Sequence, residues 1–192
     1  MTEALDYSRP PIQLLTGAFC YIRSAQVLRE SEEWEVEGQR LIRPTLHLLA
    51  HGLELFLKFP LSISGRTLEE LAYKPFGHNL KYLWDHNDNA VLRDVVLHQA
   101  EISWGLARDS GRWPQDNFEG DPKRAFVAAI YVLSRLHSKE SEHALRYIMF
   151  KTERAPRSQF LLDVLFEVLN DAVRRPRFVL DPTELRLIQG VA

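Results

Sequence analysis

Residues 38–59 read GQRLIRPTLHLLAHGLELFLKF. Leu41, Ile42, Leu46, Leu48, Leu49, Leu53, Leu55, Phe56 and Leu57 fall around most of the circumference of a helix at 3.6 residues per turn. A helix that is apolar on nearly every side is the central, buried rod of an α-helical protein. One line of ionisable side chains interrupts it. Arg43, His47, His51, Glu54 and Lys58 are spaced 4, 4, 3 and 4, which places them in a single longitudinal row. Removing a charge from water is costly unless it is paired and hydrogen-bonded, so the row must meet partners or a wet groove.

Three readings of the row stay open at this point. Glu54 pairs internally, with Lys58 one turn on or with a histidine from another helix. Alternatively, the row lines a ligand or catalytic groove. Finally, His47, His51 and Glu54 form an H-x3-H-x2-E arrangement, and two histidines at i,i+4 can chelate one ion. Zinc-protease helices carry a glutamate directly after the first histidine; Leu48 stands there, so that motif is absent. No metal or cofactor is expected.

Working outward, the periodicity is helical throughout. Pro10 and Pro11 open a helix with Ile12, Leu15, Phe19, Ile22 and Leu28 on one stripe. Cys20 lies on the same stripe and reads as packing. Glu30, Glu32, Glu33, Glu35 and Glu37 read as a solvated loop or frayed turn. Pro44 either starts the regular part of the central helix or kinks it, and Pro60 to Gly65 reads as a turn. Thr67 is a fair N-cap, with Glu70 three residues on, for a short helix to Tyr73. His78 and Asn79 precede another short helix with Leu80, Leu83 and Trp84. Asp88 or Asn89 caps a longer one running to about Arg108, with Val91, Leu92, Val95, Val96, Ile102 and Leu106 apolar. Residues 109–120 form the long loop. Asp121-Pro122 is a strong helix start, and that helix carries Phe126, Ile130, Leu133 and Leu136. Further helices are expected over Ser141–Lys151 and Ser158–Arg174. The prediction is an all-α bundle of six to seven helices in one domain, residues 1–192.

Composition limits the function classes. The chain has 192 residues, 45% of them hydrophobic, enough for one domain with a substantial core. A formal net charge of −2 argues against a general electrostatic grip on nucleic acid or an anionic membrane. The apolar stretches are broken by His47, His51, Glu54 and Lys58, so no membrane span is expected. A polar, acid-bearing N-terminus is unlike a secretory signal. One cysteine permits no internal disulfide or cysteine zinc cluster, and a cytoplasmic location is expected. Neither a phosphate-cradling glycine loop nor a nucleophile elbow occurs.

The stretch His51-Gly-Leu-Glu-Leu-Phe-Leu-Lys58, followed by Phe76-Gly-His-Asn-Leu80 and Leu83, resembles the A-L-E-L-x-L-K … G-H-D-L pattern of bacterial HEPN-like domains. Gly52 stands where alanine is usual, and Asn79 where aspartate is usual. The resemblance covers residues 12–110. It implies an up-and-down helical core, with residues 121–175 as a C-terminal helical extension packed on it. It also implies frequent homodimerisation and, in some members, metal-independent ribonuclease activity within toxin–antitoxin or defence systems. RNA and a cognate antitoxin or other protein are the partners it suggests. Ribonuclease members carry R-x(4–6)-H. Arg93-Asp-Val-Val-Leu-His98 fits this, as does Arg40 with His47. On this reading His98 is the general acid–base and Arg93 stabilises charge on phosphorus. Five residues on a regular helix are about 140° apart, so the pair converges only if the helix begins or bends between them. The resemblance further implies that His78 packs near the buried Glu54. The alternatives are a non-catalytic module binding a nucleotide or small ligand along Arg43, His47, His51, Glu54, Lys58 and His78, or a protein-interaction subunit.

Two further features carry competing readings. From His143 to Leu180, seven basic residues (Arg146, Lys151, Arg154, Arg157, Arg174, Arg175, Arg177) outnumber four acidic ones, giving either an RNA-backbone surface or an ordinary solvated face. Arg112-Trp113-Pro114 is either a base-stacking or docking loop or an anchor tucked over the core edge.

Overall fold

The computed structural model describes residues 8–113, 116–138, 145 and 157–181. Among them the chain forms α-helices and 3-10 turns and no strand. The α-helices are α1 (Pro10–Arg29), α2 (Glu32–Ile63), α3 (Leu68–Ala72), α4 (Leu80–Asp85), α5 (Ala90–Ser110), α6 (Pro122–His137) and α7 (Ser158–Arg174); 3-10 turns span Asn87–Asn89 and Pro176–Val179. The all-α bundle read from the periodicity is the architecture found. The helix expected over residues 141–151 lies outside the described residues.

α2 is the rod around which the rest assembles. Leu46, Leu49, Leu53, Phe56, Leu57, Phe59 and Leu61 on it are buried. α1 runs back along it, with Leu14, Leu15, Ala18, Ile22 and Ala25 in the seam. Gly52 permits their closest approach: a Cβ there would lie 2.8 Å from Ile22 Cδ1 and 3.2 Å from the Ala18 carbonyl oxygen. α7 lays Phe160, Leu161, Leu165, Val168 and Leu169 against the same core. Residues 40–63 are long and apolar enough to cross a membrane on length and composition, yet 67% of their most apolar window is buried inside the protein. The hydrophobicity of α2 serves the interior of a helical bundle.

α2 is longer than its apolar run predicts, in both directions. The acidic stretch is helical from Glu32 onward, a correction to the loop expected there. Glu32, Glu33 and Glu35 occupy its first turn, where carboxylates complement the exposed amides of a helix N-terminus. At the other end Pro60 lies inside the helix, and the turn comes later, with Ser64 N–H on the Pro60 carbonyl (2.9 Å) and Gly65 at φ +98°. Continuing past Pro60 keeps Leu61 fully buried, which offsets the amide that proline removes.

Short helices are set by their caps. Thr67 and Glu70 form the expected capping box on α3; Asn79 accepts from the Tyr82 amide at α4, and Asp121 from the Arg124 amide at α6. Asn89 precedes α5 without capping it. Its buried Nδ2 instead donates to the carbonyls of Leu57 (3.0 Å) and Leu83 (2.7 Å), tying α4 to α2. Three apolar assignments are corrected by packing: Cys20, Ile102 and Leu106 are exposed.

The loop after α5 is anchored to the core. Trp113 is buried, stacks on Phe118 and donates Nε1–H to Asp163 at 2.9 Å. Arg112 makes a two-pronged pair with the same carboxylate, at 2.7 and 2.9 Å. Phe118 adopts φ +52°, strained for a bulky residue, and is held there by the stack and by its amide on Asp116. The anchor reading of Arg112-Trp113 therefore prevails over base stacking. Of the basic C-terminal residues, Arg157 pairs with Asp116 at 3.3 Å and lies over the Trp104 ring; Arg146, Lys151 and Arg154 lie outside the described residues.

Candidate functional site

The polar row on α2 runs inward from half-buried to buried. Arg43, His47 and His51 are half-buried, whereas Glu54 and Lys58 are buried. The Glu54 carboxylate, 2% exposed, is the node where three elements meet. Lys58 Nζ lies 2.6 Å from its Oε1, one helical turn on. His78 Nδ1 and His137 Nε2 each lie 2.9 Å from its Oε2. Internal pairing is thus what the row does at its buried end, and the predicted His78–Glu54 contact is present.

Local structure explains how each partner arrives. Gly77 takes φ +33°, the Asn79 amide bonds the Phe76 carbonyl, and the Asn79 side chain caps α4. His78 is therefore pinned between a tight turn and a helix start, against α2. His137 is the last residue of α6, with 1% of its side chain exposed. The rings gather around the carboxylate: His78 meets His137 edge to face at 5.4 Å, His47 approaches His137 at 6.2 Å, and His51 rests edge-on to Tyr21 at 4.4 Å.

Electrostatics settles the proton arrangement. Burial alone would push the Glu54 carboxyl up. The hydrogen bond from His137, the charge and hydrogen bond of Lys58, and the hydrogen bond from His78 outweigh it and hold the pKa at about 2. An ionised carboxylate only accepts, so His137 donates through Nε2–H and His78 through Nδ1–H. For a neutral His78 ring the lone pair then sits on Nε2. That side chain is 47% exposed, against 3% for Glu54. His51 is held below its ordinary value by burial, with His137, His78 and Lys58 adding to the drop and Glu54 opposing it; it is neutral at neutral pH.

The proposed Arg93–His98 pair is not assembled, a correction to the reading from the R-x4-H spacing. α5 is a continuous helix over both positions, so they diverge around its axis. Arg93 Nη1 donates to the carbonyls of Trp84 (2.6 Å) and His86 (2.7 Å), closing off the C-terminal end of α4. His98 is directed toward Glu101, with Nδ1 3.9 Å from Oε2, and Glu101 in turn pairs with Lys123 at 3.0 Å.

Of the metal-ligating residue types, His51, Glu54 and His137 each bring a donor atom within 4.8 Å of the other two. His137 thus stands in this group in place of His47. Nothing in the local sequence marks His137, which ends an ordinary amphipathic helix 83 residues from Glu54; only the buried carboxylate's need for a further partner pointed to it. Comparison with known proteins finds no matching family model, no matching curated protein and no matching solved structure.

Proposed function

We propose that this chain is a HEPN-like, metal-independent endoribonuclease whose general acid–base is His78, with Glu54 as its positioning residue. One observation carries the reading: a half-exposed imidazole whose Nδ1 is bonded at 2.9 Å to a buried, ionised carboxylate. A carboxylate behind Nδ1 fixes the tautomer and orientation of the ring. Nε2 then takes the proton of a 2′-hydroxyl, the 2′-oxygen attacks the adjacent phosphorus, and the bond to the 5′-oxygen breaks as that oxygen takes the proton back from the imidazolium, giving a 2′,3′-cyclic phosphate and a 5′-hydroxyl. The resemblance over residues 12–110 supplies RNA as the substrate. It also suggests a homodimer and an antitoxin or other protein partner.

The test is cleavage of labelled RNA by the purified chain in excess EDTA. The reading expects cyclic-phosphate products, their loss in His78→Ala and their persistence in His98→Ala. Loss in His98→Ala with retention in His78→Ala, or no cleavage at all, refutes it. A second reading, a non-catalytic module binding a nucleotide or small ligand, is favoured by the engagement of Arg93 with backbone carbonyls, which removes the cation expected to meet the phosphate. It predicts saturable nucleotide binding without turnover.

A further inference from the structure

We propose that His51, Glu54 and His137 form a transition-metal site of the zinc class. The three residues come from two rigid elements: His51 and Glu54 sit at i,i+3 on α2, and His137 ends α6. Their donor atoms all lie within 4.8 Å of one another. Two imidazole nitrogens and one carboxylate oxygen make a donor set that zinc accepts, with a fourth position for water or another side chain. Water takes that fourth place, because His78 Nδ1 is already committed to the carboxylate at 2.9 Å.

The geometry requires only side-chain adjustment. Zinc bonds of about 2.0–2.1 Å in a tetrahedron put donors about 3.3 Å apart. Glu54 Oε2 and His137 Nε2, at 2.9 Å, open slightly, while the His51 ring turns inward from its contact with Tyr21. His51 is half-buried, so it offers the approach from solvent while Glu54 and His137 form the floor. The proton on His137 Nε2 leaves as the ion enters.

Lys58 shapes the selectivity. It occupies Oε1 and leaves Oε2 to the ion, and its ammonium disfavours any cation held by charge alone. Magnesium and calcium, which take oxygen ligands, are therefore excluded, whereas an ion with real affinity for imidazole is not.

The site shares Glu54 with the proposed cleavage machinery, so its test uses metal binding in the absence of RNA, a readout that activity does not move. The full chain is titrated with zinc chloride by calorimetry, with magnesium chloride in parallel, and with cobalt(II) followed by visible absorption. Expected are one zinc per chain, no magnesium binding, and the intense cobalt bands of a four-coordinate nitrogen–oxygen site. His51→Ala weakens zinc binding by about tenfold or more, whereas His98→Ala leaves it unchanged. Absence of saturable zinc uptake, or equal affinity in His51→Ala, overturns the proposal. Should His51→Ala fail to fold, as judged by circular dichroism, the cobalt spectrum of the unaltered chain decides: weak octahedral bands overturn the site.

Discussion

Replacing Glu54 by glutamine keeps the shape of the side chain and removes the charge on which three donors converge. Lys58, 7% exposed, is left buried without its anion, and the amide keeps one acceptor oxygen while its NH2 faces a donor in place of the other oxygen. The size of the effect follows from the carboxyl itself. A drop from 4.5 to about 2, at about 1.36 kcal/mol per tenfold change in acidity, corresponds to about 3 kcal/mol. The cost of deleting one member of a buried ion pair, about 3–5 kcal/mol, agrees. Urea denaturation of Glu54→Gln at pH 7 is therefore expected to show a loss of about 3 kcal/mol. The sign of its pH dependence is also set. A carboxyl whose folded pKa lies below its unfolded one contributes stability above the unfolded value and loses it as pH falls toward the folded value. The difference between the two proteins should shrink below pH 4.5, halve midway between 4.5 and 2, at roughly pH 3.3, and almost vanish near the lower value. His51 adds a separate loss to both proteins on acidification below about pH 6.5, since its folded form resists protonation. A difference under about 1 kcal/mol at pH 7, or one that stays constant down to pH 2, would refute the charge-node account and indicate a packing effect.

Two further substitutions test the packing. Gly52→Ala places a methyl 2.8 Å from Ile22 Cδ1 and 3.2 Å from the Ala18 carbonyl, and should cost about 1–3 kcal/mol in urea denaturation. Adding Ile22→Ala, which removes both Cδ1 and the Cγ1 that would lie 2.9 Å away, should recover part of it, and strict additivity would count against the proposed clash. Asn89→Ala removes two buried donations, to Leu57 and Leu83, and should lower stability by about 1–3 kcal/mol, read from the thermal midpoint; a change within about 0.5 kcal/mol would mean that these bonds add nothing.

Much of the fold is legible in residues 38–59 because a run of leucines around a helix has only one comfortable environment. Caps with a chemical signature, Thr67 with Glu70 and Asp121 with Pro122, set their helices where expected. The ends of α2 were harder to read, since neither the charge of the Glu32–Glu37 stretch nor the presence of Pro60 reveals that neighbours hold the helix together. The candidate site was half legible. The row and His78 follow from helical spacing and the resemblance, but His137 approaches through folding of a distant helix. Arg93 illustrates the opposite error: a spacing motif suggested chemistry where the side chain serves two carbonyl groups. Gly52, a departure from the pattern the stretch resembles, is explained by the closeness of Ile22 and Ala18.

The convergence on Glu54 bears on how far the chain can be divided. Residues 12–110 contain the carboxylate, its lysine and His78, but the most deeply enclosed of its donors arrives with α6. A polypeptide ending before Pro122 would keep the anion and lose the imidazole that shields it most, opening that side of α2 to solvent. The first hundred residues therefore leave the carboxylate short of one donor, and the later helix supplies it.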